Sequence, residues 1–553
     1  MSDTNGTPTA WNLADAFEAI AARIGDRPCQ VQGDRTVTWA EFDQRSEALA
    51  ADLVDAGLAR GAKVACYLYN GPEYMEVVNA AFKASMAPVN TNYRYGGDEV
   101  VYLFDNADAE AIVFHAVFTD LIDEIRPRLP KVKRWYLVGD DTSDPGRPVP
   151  DWATPYEPVV TSGARLAEEV RSGRSGDDLL LLYTGGTTGM PKGVMWRQDD
   201  LFNVLGAGAN PFLGTEPVAS LDELADRAAS AEAPPVMVVA CPLMHGTGQF
   251  SALISMIGGG TVVSLPSRQF SVEELFDTIE ANQATNVVIV GQAFAGPMLT
   301  ALEAEPDRWD LSSLVVISSS GVMWSQENKQ GLLRHIPQVL LYDSFGSSEA
   351  VGLGSSVSAN GMEQETARFE VTENNAVFQE NGARVEPGSD DIGLIAVGGF
   401  IPVGYYKDEE KSAATFRTYE GRRWSIPGDY AQVNADGTIR LLGRGSVCIN
   451  TGGEKVFPEE VEEALKTHAS VRDAVVVGVP DDRFGETVCG VVEPSDGASI
   501  DASELRQHVS TALAAYKAPR NVVVVDSISR AANGKVDYKR LRQLAIDEVT
   551  TPG

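Results

Sequence analysis

The strongest constraint on this chain lies at residues 179–193, where four leucines and Tyr183 run into Thr184, Gly185, Gly186, Thr187, Thr188, Gly189, Met190, Pro191, Lys192 and Gly193. A short aliphatic run of this length reads as a buried strand. The glycines after it let the backbone turn tightly and point N–H groups at an anion. The threonine hydroxyls add donors, and Lys192 adds a charge that can follow a polyphosphate. ATP is the natural ligand of such a loop. A Walker-type nucleotide loop fails on spacing, because it needs Gly-Lys followed by Ser or Thr. Here Pro191 precedes Lys192 and Gly193 follows it.

Around this loop, strand-like apolar runs alternate with amphipathic helical stretches, which favours α/β layers. Residues 63–69 followed by 73–84, and 286–290 followed by 293–302, are examples. Residues 219–235 are rich in Ala, Asp and Glu and read as an acidic surface helix or excursion. The texture changes near Pro427. Asp436-Gly437 is a turn signal between short strands at 431–433 and 438–442. Gly443-Arg444-Gly445-Ser446 then reads as a hinge. Beyond it, residues 459–467, 471–479, 487–492 and 502–515 read as helix, strand, strand and helix, followed by one more strand. The expected domains are therefore 1–443 and 444–553. With 553 residues, more than one domain is required in any case.

The formal charge is −33, from 45 basic and 78 acidic residues, so nucleic acid and anionic membrane are excluded as partners. A site for ATP must supply local positive charge and backbone N–H groups against this field. The five cysteines, Cys29, Cys66, Cys241, Cys448 and Cys489, have no metal-ligand or disulfide spacing and fit reduced thiols in a cytosol. Residues 1–9 lack the features of a secretory signal, and no apolar stretch approaches a membrane span. A soluble, cytoplasmic protein is expected.

With the loop at 184–193 in place, further motifs follow in an order that resembles the adenylate-forming superfamily of acyl-CoA synthetases, luciferases and peptide-synthetase adenylation domains. Tyr342-Asp343-Ser344-Phe345-Gly346-Ser347-Ser348-Glu349 is similar to the family's aromatic-Gly-x-Thr-Glu motif, with Ser348 in place of threonine. The resemblance implies that Phe345 packs on adenine, Ser348 meets the α-phosphate and Glu349 binds magnesium. Asp343 and Gly321 are expected beside the nucleotide. Asp429 and Arg444 match the pair that binds ribose hydroxyls, Gly452-Gly453 matches the loop shaping the thiol channel, and Lys535 matches the adenylation lysine. A mobile cation there would stabilise charge crowding at the α-phosphate. Ser446 departs from the acidic or basic residue usual at the hinge, and Ser320-Gly321 from a double glycine.

The resemblance implies a large N-terminal domain of α/β layers with a small β-barrel part, and a small α+β C-terminal domain on the hinge. It also implies an ATP-dependent ligase that uses magnesium and coenzyme A. A carboxylate attacks the α-phosphate, pyrophosphate leaves, and the CoA thiol then attacks the acyl-adenylate. By position, the acyl pocket is lined by residues 244–248, 292–298, 321–324 and 346–352, where small side chains leave room for a bulky or long acid. His245 is expected as a gate between carboxylate and thiol channel, with a structural histidine as the other reading. The motif texture is similar to the actinobacterial branch acting on fatty acids and steroid side-chain carboxylates. A homodimer is expected from the family's habit. Two rivals stand beside the ligase: transfer to a separate carrier-protein thiol, and a non-catalytic acyl or nucleotide sensor. The sensor sits badly with the presence of Lys192, Glu349, Asp429 and Lys535 together.

Overall fold

Aliphatic runs such as Val236–Val239 and Asn286–Ile289 are too short for helices and too apolar for a surface, so they become interior strands. The structure, a computed structural model, describes residues 10–139, 148–184, 190–209, 215–321, 324–362, 368–444, 449–451, 454–481, 485–513, 515–530 and 536–550. Two eight-stranded sheets dominate it. In one, Leu340–Ser347, Val316–Ser320, Asn286–Ile289, Val236–Val239, Thr261–Ser264 and Pro28–Gln32 lie side by side in parallel. Ala350–Ser358 and Arg35–Thr38 close its two edges antiparallel. In the other, Leu179–Thr184, Ala87–Asn90, Lys63–Tyr67, Ala109–His115, Arg134–Val138 and Thr154–Pro155 are parallel, with Lys192–Arg197 and Gly404–Tyr405 antiparallel at one edge. Residues of both sheets share one continuous apolar core. The α/β class read from the alternation is the class observed.

Helix Pro72–Lys83 lies between these layers, and each of its twelve residues is buried. The amphipathic pattern at 73–84 therefore does not mark a solvent face. Its charges are neutralised from other elements instead, as burial of an ion requires. Glu76, fully buried, accepts from Arg45 Nε at 2.8 Å and from the Tyr156 hydroxyl at 2.8 Å. Lys83, equally buried, donates to Glu18 and pairs with Asp43 at 2.7 Å. Arg174 holds Glu18 through two bonds of 2.9 Å and accepts its orientation from the Lys83 carbonyl, also at 2.9 Å. Burial opposes ionisation of Glu18, but the Arg174 hydrogen bond and the Lys83 charge outweigh it and hold the carboxyl down to about 2.

The expected small barrel is a seven-stranded antiparallel sheet running from Arg368–Phe369 through Ile439–Arg444, Asp429–Val433, Gly393–Gly398 and Arg422–Ser425 to Phe416–Tyr419, with Asn375–Phe378 added to Gly393–Gly398. Its path is open: among the described residues no pair joins its two ends. Val377, Ile395, Val397, Phe416 and Ile439 bury one face in the large core, so the sheet is covered without curling onto itself. The turn at Asp436-Gly437 is present, with Gly437 at φ +86°. The acidic stretch contains helix Leu221–Ser230, capped by Ser220. Its inner stripe of Leu224, Ala225 and Ala228 is buried, and Arg27 donates to the carbonyls of Ala228 and Ala229 at 3.0 and 2.9 Å.

Strand Ile439–Arg444 belongs to that open sheet, whereas Ile449–Thr451 begins another. Hairpin Val471–Asp481 and Gly485–Pro494 forms its centre, and Asn521–Val524 adds in parallel. Helices Pro458–Lys466 and Ala502–Ala512 cover one face, Tyr538–Thr550 the other, each over its own apolar cluster. The order helix, strand, strand, helix, strand is as read. The hairpin of Ile449–Thr451 with Glu454–Val456 and the last helix were not legible. The second helix also stops at Ala512 rather than 515.

The ends of the parallel strands of the two sheets are stitched together by two asparagine side chains. Asn90, at the end of Ala87–Asn90, donates to the carbonyls of Tyr183 (2.9 Å) and Met244 (2.6 Å) and accepts from Tyr183 N. Asn70, just beyond Lys63–Tyr67, donates to Cys241 O at 2.9 Å and accepts from Leu243 N at 2.7 Å. Replacing Asn90 by Ala orphans buried backbone groups and is expected to cost about 3 kcal/mol, read as a lowered thermal midpoint. Glu18 contributes stability that is present above its ordinary value of 4.5 and lost as pH falls towards about 2. Arg174→Ala removes the hydrogen bond that depresses it, so acid unfolding of that variant is expected to begin at higher pH when denaturation is followed across this range.

Candidate active site

Ligands of open α/β sheets gather where the carboxyl ends of parallel strands meet, and here two such edges face each other. Strand Leu179–Thr184 delivers Thr184 to this edge, where it pairs with Lys192 across the hairpin. Gly185, Gly186, Thr187, Thr188 and Gly189 lie outside the described residues. The rest of the hairpin is held closely. A side chain on Gly193 would meet the Tyr183 ring at 2.6 Å, so only glycine lets the ring lie across the strand. The Tyr183 hydroxyl donates to Asn106 at 2.6 Å.

Lys192 emerges from the hairpin into a chain of contacts that no single motif announces. Its ammonium pairs with Asp408 and lies 6.0 Å from the centre of the Tyr405 ring. The Tyr405 hydroxyl donates to Glu349 at 2.7 Å. The Lys192 hydrogen bond, joined by the backbone N–H of Lys411, holds the Asp408 carboxyl below its usual range. Glu349 sits in the turn between Leu340–Ser347 and Ala350–Ser358. Trp196 Nε1 fixes that turn from one side, donating to Ser348 O at 3.0 Å. The Ser425 hydroxyl fixes it from the other, donating to Glu349 O at 2.6 Å. Lys192 is thereby brought to one place with Ser348 and Glu349, which lie 156 and 157 residues further along the chain.

Gly321 ends strand Val316–Ser320 at φ +87°, and its Cβ position lies 3.8 Å from Thr247 Oγ1 at the start of helix Gly246–Ile257. Gly248 abuts the Pro242 carbonyl so closely that a Cβ would stand 2.5 Å from it, and the Gly246 Cβ position is 3.2 Å from Leu182. Gly246 and Gly248 thus serve close packing. His245 precedes this helix, half-buried, with its N–H on Pro242 O at 3.1 Å. Across the groove, Gly291 N donates to Ser319 Oγ at 2.9 Å, and Gln292 Oε1 accepts from Ser325 N at 3.2 Å. Phe345 is half-buried with its ring 5.4 Å from that of Phe369. Asp343 is engaged internally: Lys329 and Trp324 both donate to its carboxylate. Burial raises the pKa of that carboxyl, and Lys329 opposes the rise.

Asp429 and Arg444 face each other as backbone partners on adjacent strands, and Asp429 is only 6% exposed. Gly443 sits at φ +118° with its Cβ position against the Glu459 carboxylate, and the Tyr430 ring lies 5.5 Å from that of Phe457, tilted by 44°. Ser446, Gly452, Gly453 and Lys535 lie outside the described residues. The described residues on either side of Lys535 are themselves held in place. Arg530 binds Asp473 through bonds of 2.7 and 2.8 Å, and the Tyr538 hydroxyl donates to Glu462 at 3.2 Å.

Asn70, Asn90, Trp196, Tyr405, Asp408 and Ser425 escaped the sequence reading. A lone asparagine after a strand, or a tyrosine after a glycine, has no spacing that distinguishes it from a loop residue. Their importance arises only from what they meet across long stretches of chain.

The AMP-binding enzyme model matches residues 17–398, and the AMP-binding enzyme C-terminal domain model matches residues 460–535. A medium/long-chain-fatty-acid–CoA/3-oxocholest-4-en-26-oate–CoA ligase of Mycobacterium marinum is 40% identical over 96% of both chains. The 3-oxocholest-4-en-26-oate–CoA ligase of Rhodococcus rhodochrous is 40% identical over 96% of this chain and 95% of its own. The medium-chain acyl-CoA ligase Mig of Mycobacterium avium is 39% identical over 99% of this chain and 100% of its own. In fold, the chain superposes along its whole length on an anthranilate CoA ligase in complex with anthranoyl-AMP, at TM-score 0.83 and 21% identity. The phosphate loop, the glutamate turn assembled beside it and these matches lead to one conclusion: the chain belongs to the AMP-binding enzyme family, as an AMP-forming acid–thiol ligase that uses ATP and coenzyme A.

Proposed function

We propose that this ligase converts medium- or long-chain fatty acids, or the side-chain carboxylate of a steroid, to CoA thioesters through an acyl-adenylate. The assembly of Lys192, Ser348 and Glu349 at one strand edge carries the chemical part of this reading. Relatives at about 40% identity whose names specify fatty and steroid acids support the choice of substrate. The many small side chains among residues 244–248, 292–298, 321–324 and 346–352 favour a bulky or long acid.

In the first half-reaction, the acid's carboxylate attacks the α-phosphorus of ATP and the bond to the β-phosphate oxygen breaks, releasing pyrophosphate. Lys192 follows the departing phosphates, Ser348 meets the α-phosphate, and Lys535 neutralises the crowded charge. In the second, the CoA sulfur attacks the acyl carbon and AMP leaves with the bridging oxygen. The chain divides at 443/444, and the smaller part turns about Arg444 between steps, exchanging Lys535 for Gly452 and Gly453. Separate apolar clusters on the two sides of this position support the division. His245 gates the thiol approach. Asp429 and Arg444 hold the ribose, and Phe345, Gly321 and Asp343 surround the adenine.

Glu349 is suited to magnesium. Its carboxylate is a hard oxygen donor, already oriented by Tyr405. Among the described residues no group of three or more His, Cys, Asp or Glu could hold a metal alone. Magnesium commonly binds through one or two carboxylates together with substrate phosphates, which suits a single glutamate beside a polyphosphate loop. When bound there, the ion would neutralise phosphate charge. No helix among the described residues is long and apolar enough to cross a membrane, and a cytoplasmic site of action fits the reduced cysteines. A homodimer accords with the family's habit.

The reading is tested by AMP and pyrophosphate release across acids from acetate through long-chain fatty acids to steroid side-chain acids. CoA-dependent AMP turnover with a marked preference for long-chain or steroid acids is expected. A single pyrophosphate burst that CoA never accelerates would instead favour a carrier-protein acceptor. Lys535→Ala is expected to abolish adenylate formation while sparing thioester formation from supplied acyl-adenylate. Equal loss of both half-reactions would remove the two-state role from that lysine.

A further inference from the structure

The pairing of Lys192 with Asp408 has no counterpart in the motif reading, and its chemistry is competitive. Asp408 stands beyond strand Gly404–Tyr405, which adds to the very hairpin that presents Lys192. One carboxylate oxygen accepts from Lys411 N at 2.9 Å and caps helix Glu409–Thr415, while the other takes the Lys192 ammonium. Ser412 Oγ closes the same turn, donating to Asp408 O at 2.6 Å. The carboxylate is therefore tethered within reach of the lysine and cannot diffuse away. Its side chain is 28% exposed and that of Lys192 is 38% exposed, so both remain open to solvent and to an incoming anion.

We propose that Asp408 is the resting counter-ion of Lys192 and that it recaptures this ammonium when pyrophosphate leaves. The proposal rests on the reading that Lys192 binds the polyphosphate. An incoming triphosphate carries several charges and displaces one partly exposed carboxylate readily, because such a pair is weak. After the α-phosphorus bond is broken, pyrophosphate is no longer tethered to the adenosine. The tethered carboxylate then competes at high effective concentration for the same three N–H donors. Tyr405 keeps the exchange local, with its ring face 6.0 Å from the ammonium and its hydroxyl on Glu349. The device makes product release easier at the expense of some ground-state affinity, and Glu349 itself stays fixed throughout.

The test is calorimetric binding of inorganic pyrophosphate to the full chain without metal, together with pyrophosphate inhibition of the complete reaction. Asp408→Asn keeps the helix cap, since Asn caps as well as Asp, but removes the competing charge. It is expected to bind pyrophosphate about fivefold more tightly, a factor equal to ~1 kcal/mol. Inhibition should set in at correspondingly lower pyrophosphate, and the difference from the parent should shrink as salt rises. Asp408→Ser, a second uncharged cap, should behave alike, and Asp408→Glu should restore parental behaviour. In a Lys192→Ala background, Asp408→Asn should have no effect on pyrophosphate affinity. If Lys192→Ala weakens pyrophosphate binding while Asp408→Asn leaves it unchanged or weaker, the counter-ion role is wrong and the polyphosphate role stands. If Lys192→Ala itself leaves binding unchanged, the polyphosphate role falls and the counter-ion role with it.

Discussion

Two carboxamide side chains carry the geometry on which this molecule depends. Asn70 and Asn90 reach from the strand ends of one sheet to the backbone of 241–244 at the strand ends of the other. Each asparagine has donors and an acceptor on one short stem, so it can satisfy groups of opposite polarity where two sheet edges meet. Edges left unsatisfied there would cost buried hydrogen bonds. With them joined, strand Leu179–Thr184 and helix Gly246–Ile257 are held at a fixed separation. In the proposed reaction, nucleotide, acid and thiol chemistry share that edge.

Charge is handled by the same logic of local compensation. The chain carries a formal −33, yet its phosphate site needs positive charge. In the proposed reaction Lys192 supplies it, beside the Tyr405 ring and its partly exposed partner Asp408. Deeper in the protein the balance is permanent. Lys83 and Glu76 are fully buried, and their partners Glu18, Asp43, Arg45 and Tyr156 come from distant elements. A buried ion with its partner removed is costly, so these networks fix how the first helices pack around Pro72–Lys83. The exposed pair is built to exchange and the buried ones to persist.

Much of the site was legible because its residues carry chemistry in short spacing. Thr184 and Lys192 announced a phosphate loop, and Phe345, Ser348 and Glu349 followed in a recognisable order. The structure adds the contacts that make them one site: Trp196 on Ser348, Ser425 on Glu349, and Tyr405 between Glu349 and Lys192. For Asp343 of the same motif, the structure adds partners that the spacing did not show, since Lys329 and Trp324 both donate to its carboxylate. The helical period at 73–84 gave no sign that every side of the helix would be buried, because periodicity records which residues are apolar and not whether distant arginines will neutralise the rest.

By itself, the sequence determined the α/β class, the existence of the small last domain and the family. All of these depend on local hydrophobic period or on residues close together in the chain. Only the tertiary structure decided the strand order of the small antiparallel sheet, whose two ends no pair joins among the described residues. It also decided which polar groups are partners. Asn90 meets Tyr183 and Met244, and Lys192 meets Asp408, across 93, 154 and 216 residues. A hydrogen bond depends on distance in space, and the distance between residues so far apart in sequence exists only after the sheets have packed.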